Sequence, residues 1–484
     1  MTSIIITLLA VAPAQLPWSR VYVDQHVGSG AAVQALPNAE VRRYLSSDRT
    51  EVVVIARAPV SRVTLALDVH TGGEVLYPHL MGLRIDPAWL AARTDTAWLG
   101  MDGFPGECFA PLVVHHAAGA ARMIADIEGR ACRPVYKRNE IALEYAVDLQ
   151  PGQTAVFRNV VARVAAPSAR QACHALIAAY RLHFRDDLDY GALQWGAGYL
   201  NIQLQNHADP LDFVLRLCLN YPQFRRVQVW GWTSDRLDGT EDTSCCLKSA
   251  RPHPRYVGLG ELDGLLAARG VDFARYYRAD DPAIDSYPIL GPRYVDVAAF
   301  LRDVRRRYGP LNSTVVEGVS VACDHAGLIA GSITGGADRV TGRSRAYEQP
   351  APWFGRLVFD RRPLFAGDSN FDWSWTTPDT KFRTYRQAFL LGCKFDWRGD
   401  GNPVVPEVLA EWERVRWWEK QCRYRDTEGI SSVPAGLDVR RFVDRAGKTV
   451  LAADQWDDPQ LRTILVDDKP VVIPARPLCI VEVP

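Results

Sequence analysis

Short apolar segments alternate with amphipathic ones between about residues 195 and 425, and this alternation limits the folds open to the chain. Val227–Trp232 is an apolar, β-branched run, and Leu259–Arg269 after it carries apolar residues at helical spacing. Val271–Tyr277 predicts the next strand and Val295–Tyr308 the next helix. Strand and helix in alternation favour a parallel sheet covered by helices, because parallel strands need long crossover connections. We therefore predict an α/β fold with a (β/α)8 TIM-like barrel at 195–425, with a doubly wound open sheet as the alternative.

The regions on either side of this barrel are predicted to be β-structure. Residues 1–165 contain segments such as Glu51–Ala56 between Gly, Pro and Asp turns, which favours an N-terminal β-sandwich. Residues 166–194 carry one helical pattern and predict a helical linker. Residues 426–484 return to short alternating strands, which predicts a small C-terminal β-sheet domain.

The charge balance argues against nucleic acid and membrane partners. The chain has 56 basic and 56 acidic residues in 484, so it has no net charge with which to grip a polyanion or an anionic membrane. No apolar run reaches the roughly 18 to 20 residues of a membrane-spanning helix. Ile4–Val11 is the most apolar stretch. Within it, Ile4–Leu9 predicts a buried strand, with a short signal peptide as the alternative. A cytoplasmic location is therefore favoured, with secretion still open.

The ten cysteines show neither a disulfide framework nor metal-ligand spacing. Cys245 and Cys246 are adjacent, whereas two thiolates that share a zinc ion are separated by at least two residues. Asp324-His325 has no second histidine nearby to complete a metal site. We therefore expect reduced thiols, no metal and no other cofactor.

Acidic residues recur where predicted strands end, which is the edge at which a barrel places its reacting groups. Glu317 is the strongest candidate, because glutamate is a poor turn or capping residue and an apolar, β-branched run precedes it. Asp324 follows on the same segment and is our candidate for its partner. Asp235, Asp368 and Asp396 are rivals for that role and candidate substrate contacts.

Tryptophan is also placed near strand ends. The chain has 14 Trp against 4 Met, and six of the tryptophans lie on or near the ends of predicted strands: Trp230, Trp232, Trp353, Trp373, Trp375 and Trp397. Two carboxyl groups in aromatic surroundings are what glycoside hydrolysis requires, because one must stay protonated while the other is ionised. The pattern predicts a glycoside hydrolase with Glu317 and Asp324 as catalytic residues. The predicted sugar contacts are Trp230, Trp232, Trp373 and Trp397.

Other chemistries have less support in the sequence. There is no Gly-x-Ser-x-Gly nucleophile elbow, and no glycine-rich nucleotide loop follows a predicted strand. Two alternatives remain open. One is a barrel that binds carbohydrate without cleaving it, and the other is a sugar isomerase or epimerase.

The order of parts resembles a group of carbohydrate-active proteins with an N-terminal β-supersandwich, a central (β/α)8 barrel and a C-terminal β-domain. This group includes the endo-α-N-acetylgalactosaminidase-like hydrolases. The matching stretches are Val229–Trp232 as first barrel strand, the Leu259–Gly270 helix leading into Val271–Tyr277, the acidic strand Thr314–Gly318 followed by Asp324, and the passage Arg386–Trp397. The resemblance implies hydrolysis of a neutral glycan. It also implies an aspartate on a strand before the acidic one, and residues 285–312 lack that motif, which keeps the non-catalytic alternative open.

Overall fold

The computed structural model describes most of the two ends of the chain and the core elements of its centre. The described residues are 20–29, 31–46, 49–70, 72–78, 82–92, 99–100, 108, 110–137, 139–183, 198–203, 208–222, 224, 226–230, 258–275, 315–317, 331–335, 348–359, 364–367, 386–398, 423–444 and 446–483. The strands and helices below are numbered in chain order within these residues.

Two antiparallel sheets form the N-terminal region. The first has six strands in the spatial order β2 (His26–Ser29), β1 (Arg20–Val23), β6 (Val60–Asp68), β13 (Glu140–Leu149), β12 (Arg133–Lys137) and β9 (Leu99–Gly100). The second has nine, in the order β20 (Glu348–Pro350), β8 (Leu83–Ile85), β7 (Glu74–Tyr77), β10 (Leu112–Ala117), β11 (Ala120–Asp126), β14 (Thr154–Ala165), β5 (Thr50–Ala56), β4 (Ala39–Leu45) and β3 (Val33–Ala35). Alternate residues of β5 are buried, as expected of a strand with one face on a core. Buried side chains of both sheets form one apolar cluster.

A parallel sheet occupies the centre of the chain. Its seven described strands lie in the order β17 (Asp272–Arg275), β16 (Arg226–Trp230), β15 (Gly198–Gln203), β22 (Lys394–Arg398), β21 (Leu364–Gly367), β19 (Gly331–Gly335) and β18 (Val315–Glu317). Every pairing is parallel, and the first of these strands in the chain, β15, pairs with the last, β22. The prediction that Val229–Trp232 forms the first central strand is wrong, because β15 precedes it.

Five helices are described, together with a helical stretch at residues 386–390. They are α1 (Pro87–Ala92), α2 (Ala169–Arg181), α3 (Pro210–Asn220), α4 (Leu259–Ala267) and α5 (Pro352–Phe359). Ser168 caps α2 by accepting a hydrogen bond from the backbone N–H of Gln171 at 3.3 Å, and Asp209 caps α3 in the same way. Arg356–Leu364 and Phe389–Phe395 are apolar runs that predict strands, but the first residues of each run, 356–359 and 389–390, are helical. Periodicity alone does not separate short buried helices from strands.

Residues 423–483 form two small antiparallel sheets. The four-stranded sheet has the order β23 (Arg423–Asp426), β25 (Asp438–Val443), β26 (Thr449–Asp454) and β29 (Leu478–Glu482). The three-stranded sheet has the order β24 (Ile430–Ser431), β27 (Arg462–Val466) and β28 (Lys469–Ile473). An apolar cluster that includes Leu451, Ile464 and Ile473 joins the two sheets.

Strand β20 joins the central part of the chain to the N-terminal nine-stranded sheet. It lies inside the range predicted for the barrel, yet it pairs with β8. The Gln349 amide accepts a hydrogen bond from Arg84 and donates one to Asp86 at 3.1 Å, so both of its ends are held. Gly82 has a φ of +104°, and a Cβ there would lie 2.7 Å from the carbonyl oxygen of Ala351. The close contact between the two regions therefore requires glycine at this position.

The six cysteines in the described ranges are free and buried. Among the helices that the structure describes, none is long and apolar enough to cross a membrane. The predicted strand Ile4–Leu9, the predicted helix Val295–Tyr308, Cys245 and Cys246 lie outside the described residues.

Candidate active site

The carboxyl ends of the seven central strands lie at one edge of the parallel sheet, because all of them run in the same direction. The last residue of β18 is Glu317, and the last residue of β16 is Trp230. Strands β19 and β21 end at Gly335 and Gly367, which are in register with each other. Of the predicted acids and aromatic residues, Glu317 and Trp230 therefore lie at this edge, whereas Asp396 and Trp397 lie within β22.

The register places Glu317 and Asp396 on the same face of the sheet. Glu317 is in register with Ile333, Ile333 with Phe365, and Phe365 with Lys394. Residues in register share a face, and so do residues two apart on one strand, so Asp396 lies on the face of Lys394. The two acids are three strands apart and offset by two residues along the strand direction.

The same face continues across the neighbouring strands with polar residues. Asp396 is in register with Tyr199, and Asn201 is in register with both Arg398 and Gln228. At the carboxyl edge, Gln203 is in register with Trp230. We call this side of the sheet the polar face. The residues of it used below are Tyr199, Asn201, Gln203, Gln228, Trp230, Glu317, Lys394, Asp396 and Arg398. The same side also carries the apolar residues Val315, Ile333, Phe365 and Ala274.

The opposite face of β15 and β16 is apolar. Ile202, Val227 and Val229 lie on it and are fully buried. Trp397 lies on this face too, because it is in register with Leu200, which is in register with Val227. The structure therefore separates Trp397 from Glu317, Asp396 and Trp230, although the sequence groups all four as site residues.

The polar face carries the residue types that saccharide chemistry uses. Two carboxyl groups supply proton transfer or a nucleophile, amides and cationic groups bind hydroxyl oxygens, and an indole covers a C–H surface. The remaining predicted site residues, Trp232, Asp235, Asp324, Asp368 and Trp373, lie outside the described residues. Asp368 follows Gly367, the residue of β21 that is in register with Asp396.

Sequence reasoning missed the middle of the polar face. Tyr199, Asn201, Gln203 and Gln228 were not candidates, because β15 was not predicted and Gln228 lies inside an apolar run. The signal was present in the alternation of β15, which reads Gly-Tyr-Leu-Asn-Ile-Gln. Strands of parallel sheets that are covered on both faces are nearly continuously apolar. Strict alternation in a parallel strand therefore indicates that one of its faces is not covered by helices.

The most perturbed described carboxyl group lies elsewhere, in the N-terminal sheets. Burial raises the pKa of Asp126 to about 7. Its Oδ1 accepts hydrogen bonds from the backbone N–H groups of Glu128, Gly129 and Arg130 at 2.7 to 3.1 Å, and its Oδ2 accepts one from Tyr145 at 3.0 Å. Asp126 is fully buried and both of its oxygens are used inside the protein, so its role is structural.

A buried histidine is perturbed in the same region. His115 on β10 is buried, and its Nε2 donates a hydrogen bond to the carbonyl oxygen of Gly72 at 2.6 Å. Burial lowers the pKa of His115 to about 4, so the ring is neutral at pH 7. In the described ranges no three potential metal ligands among His, Cys, Asp and Glu come together.

Comparison with known proteins gives a consistent likeness in fold. No protein-family model and no curated protein matches the sequence. Among solved structures, a quadruple mutant of the α-N-acetylgalactosaminidase NagBb from Bifidobacterium bifidum aligns with a TM-score of 0.52 at 11% identity over 94% of each chain. The GH36 α-galactosidase AgaA from Geobacillus stearothermophilus, a variant in complex with raffinose, aligns with a TM-score of 0.51 at 10% identity, over 97% of this chain and 85% of its own. AgaB, a GH36 α-galactosidase from the same organism, aligns with a TM-score of 0.50 at 10% identity, over 98% of this chain and 84% of its own.

These alignments span nearly the whole chain rather than one domain. Identities of 10 to 11% are evidence of a shared fold and not of a shared activity. The chain therefore has a glycoside-hydrolase-like fold, with antiparallel sheets before and after a central parallel sheet.

Proposed function

We propose that the protein is a glycoside hydrolase whose reaction takes place on the polar face, at the carboxyl edge of the parallel sheet. The observation that carries this proposal is the register that puts Glu317 and Asp396 on one face together with amides, cations and Trp230. The glycosidase-like fold supports the same reaction class.

The strand order supports closure of the parallel sheet into a (β/α)8 barrel. From β15 to β17, and again from β18 to β22, each described strand of the sheet is added on the same side of its predecessor. Right-handed crossovers in one constant direction put every connection on one face of a sheet. That face is the apolar one of Ile202, Val227 and Val229, so the polar face is left to line the inside of a barrel.

The stagger of the strands fits the same closure. The register can be followed from strand to strand across the sheet. By this measure, the described carboxyl end of β15 at Gln203 lies six residues further along the strand direction than that of β18 at Glu317. A flat open sheet needs no such stagger, whereas a barrel closes only when its strands tilt and shift in register. Closure brings Glu317 and Asp396 to facing sides of one lumen.

The two acids divide the roles of the proposed reaction. Asp396 alternates with Lys394 and Arg398 along β22, and we assign to it the role of nucleophile or general base. Glu317 ends β18 after Val315 and Val316, and we assign to it the role of the general acid that protonates the leaving oxygen.

The substrate class follows from charge balance and from the likeness in fold. The chain has no net charge, which fits a neutral glycan better than an acidic one. NagBb is an α-N-acetylgalactosaminidase and AgaA an α-galactosidase, so α-galactosides and α-N-acetylgalactosaminides are the first substrates to test. The β-anomers of the same sugars, as aryl glycosides, complete the test panel.

The decisive experiment measures release of the aryl group from this panel by the wild-type protein and by Glu317→Gln. We expect cleavage of at least one glycoside, and a fall in turnover of about a hundredfold or more in the variant with little change in sugar affinity. Asp396→Asn, Asp324→Asn and Asp368→Asn, assayed alongside, identify the partner, and we expect the largest loss for Asp396→Asn.

Two results would contradict the proposal. If wild-type protein binds a glycan of the panel and cleaves none, the barrel is a binding module. If turnover falls on chelation and returns with a divalent ion, the sugar isomerase becomes the better account, because a carboxylate pair needs no metal.

A further inference from the structure

A cavity of about 470 Å³ lies where the three parts of the molecule meet. Its walls come from the first turns of α2 and α5, from residues 386–391, and from β25, β26 and the turn after β26. Leu391 precedes Lys394, the first residue of β22, by three positions. This wall therefore lies toward the amino edge of the parallel sheet, whereas Glu317 is at the carboxyl edge.

One wall of the cavity is apolar and fixed in position. It consists of the indole of Trp353, Pro352 and the buried side chains of Leu390 and Leu391. The Arg170 guanidinium lies 5.1 Å from the centre of the Trp353 ring. That guanidinium is held in turn by two hydrogen bonds to Asp426, which is fully buried. The guanidinium therefore lies over one face of the Trp353 ring, and both groups line the cavity.

The other wall is polar and its groups are already oriented. Arg386 donates to Asp454 through Nε at 2.8 Å and Nη2 at 2.9 Å, and also bonds Asp457 at 3.3 to 3.4 Å. Arg440 bonds Asp438. The side chains of Asp438 and Asp457 remain 51% and 83% exposed. A carboxylate oxygen has two lone pairs and can accept more than one hydrogen bond.

The charges that line the cavity balance. Three arginines and three aspartates face it: Arg170, Arg386, Arg440, Asp438, Asp454 and Asp457. A site that binds an anion has an excess of hydrogen-bond donors and positive charge. A site that binds a cation has an excess of oxygen ligands and negative charge. The balanced set favours neither ion and suits a neutral ligand with both donors and acceptors.

We propose that this cavity is a second saccharide-binding site. A pyranose has an apolar C–H surface and a rim of hydroxyl groups that both donate and accept, which matches an indole wall opposite paired charged groups. The binding groups are already ordered, so a sugar meets a small entropic cost on binding. The choice of sugar rests on the proposed function, and the site would hold a glycan chain away from the edge where it is cleaved.

Calorimetric titration with galactose and with N-acetylgalactosamine tests the site directly. We expect Trp353→Ala, and Gln387→Trp, which fills the cavity, each to weaken binding at least tenfold. Trp89→Ala removes another half-buried tryptophan of a short helix and is the matched control, with unchanged affinity. Gln387→Trp leaves the contact between Arg170 and Trp353 in place, so it tests the site even if Trp353→Ala does not fold.

The readouts separate this site from the polar face. Inhibition of hydrolysis by the same sugars reports the carboxyl edge, and we expect its inhibition constant to be the same in Gln387→Trp and wild type. Calorimetry needs no turnover, so the site is measured even if the protein cleaves nothing. Equal affinity of wild type and Gln387→Trp for both sugars overturns the proposal. Binding of inorganic phosphate that is abolished by Gln387→Trp also overturns it, because the cavity is then an anion site.

Discussion

Strands end in acidic residues in both the antiparallel and the parallel sheets, and we propose that the two regions use these acids differently. In the antiparallel regions Asp126 ends β11, Asp426 ends β23 and Asp454 ends β26, and each accepts hydrogen bonds from fixed neighbours. In the parallel sheet Glu317 ends β18 on the polar face, which it shares with Asp396. An acid at a strand end is thus a weak functional signal until its face is known.

The three antiparallel acids are structural for a common reason. Each is buried, with at most 7% of its surface exposed, and a buried carboxylate must have its hydrogen bonds satisfied inside the protein. Asp426 accepts from Tyr424 at 2.7 Å and from Arg170, and so joins the C-terminal sheet to α2. The difference teaches that topology decides what an acid can do, because only an uncovered face leaves it free to meet a substrate.

The largest expected effect tests the structural half of the comparison. Asp426→Asn removes the buried negative charge that Arg170 and Tyr424 share, and breaking a buried ion pair costs about 3 to 5 kcal/mol. Asp467→Asn is the control, since its pair with Arg441 is 59% exposed on the carboxylate side and should contribute less than about 1 kcal/mol. Urea denaturation measures the free energy of unfolding of both variants. Equal losses for Asp426→Asn and Asp467→Asn would show that the buried acid is no more important for stability than the exposed one.

A second test uses the pH dependence of the buried acid. The pKa of Asp126 is about 7 in the folded protein and lies near 3.8 when the group is free, so the folded state keeps a proton that the unfolded chain releases. Stability from this group is therefore present below about pH 4 and lost as pH rises to about 7, by about 1 kcal/mol per pH unit.

His115 acts in the opposite direction. Its pKa is lowered from 6.5 to about 4, so the unfolded chain binds the proton more readily and stability is lost as pH falls through that window. Asp126→Asn removes one of the two opposing effects. We expect its free energy of unfolding to rise with pH between about 4 and 6.5, where the wild-type curve is flatter. Parallel curves for the two proteins would show that Asp126 does not hold a proton.

A smaller effect is expected from the packing around His115 and His116. Gly73 has a φ of +87°, and a Cβ there would lie 2.3 Å from the carbonyl oxygen of His116. Gly72 has nearly the same φ, +81°, but no atom lies within 4 Å of its Cβ position. Both alanine variants carry the backbone strain, and Gly73→Ala adds a clash that should cost about 1 to 3 kcal/mol more. Thermal unfolding measures the stability of Gly73→Ala and Gly72→Ala. Equal stability of the two variants would show that Gly73 is not closely packed against His116.

The sequence predicts elements well where the chain is strongly periodic. Leu259–Ala267 is helical, within the predicted Leu259–Arg269, because its apolar spacing and Gly270 at its end agree. The strand Arg226–Trp230 is also close to its prediction. By contrast, β15 alternates polar and apolar residues in a parallel sheet, and α5 is a short apolar run, so local pattern is ambiguous for both.

The candidate site is predictable only in part. Glu317 and Trp230 end their strands as predicted, whereas Asp396 is the third of the five residues of β22 and not a strand end. The common face of the three residues is a property of register between strands far apart in the chain. Trp397 shows the limit, since it adjoins Asp396 in sequence and lies on the opposite face because side chains alternate along a strand.

The turnover of Glu317→Gln beside that of Asp126→Asn, on one cleaved glycoside and at a pH where both are folded, tests the central claim most directly. Both changes replace a strand-end acid by its amide, one on the polar face and one inside the antiparallel sheets. The account predicts a fall of about a hundredfold or more for Glu317→Gln and turnover close to wild type for Asp126→Asn. Wild-type turnover in Glu317→Gln, or an equal loss in both variants, would contradict it.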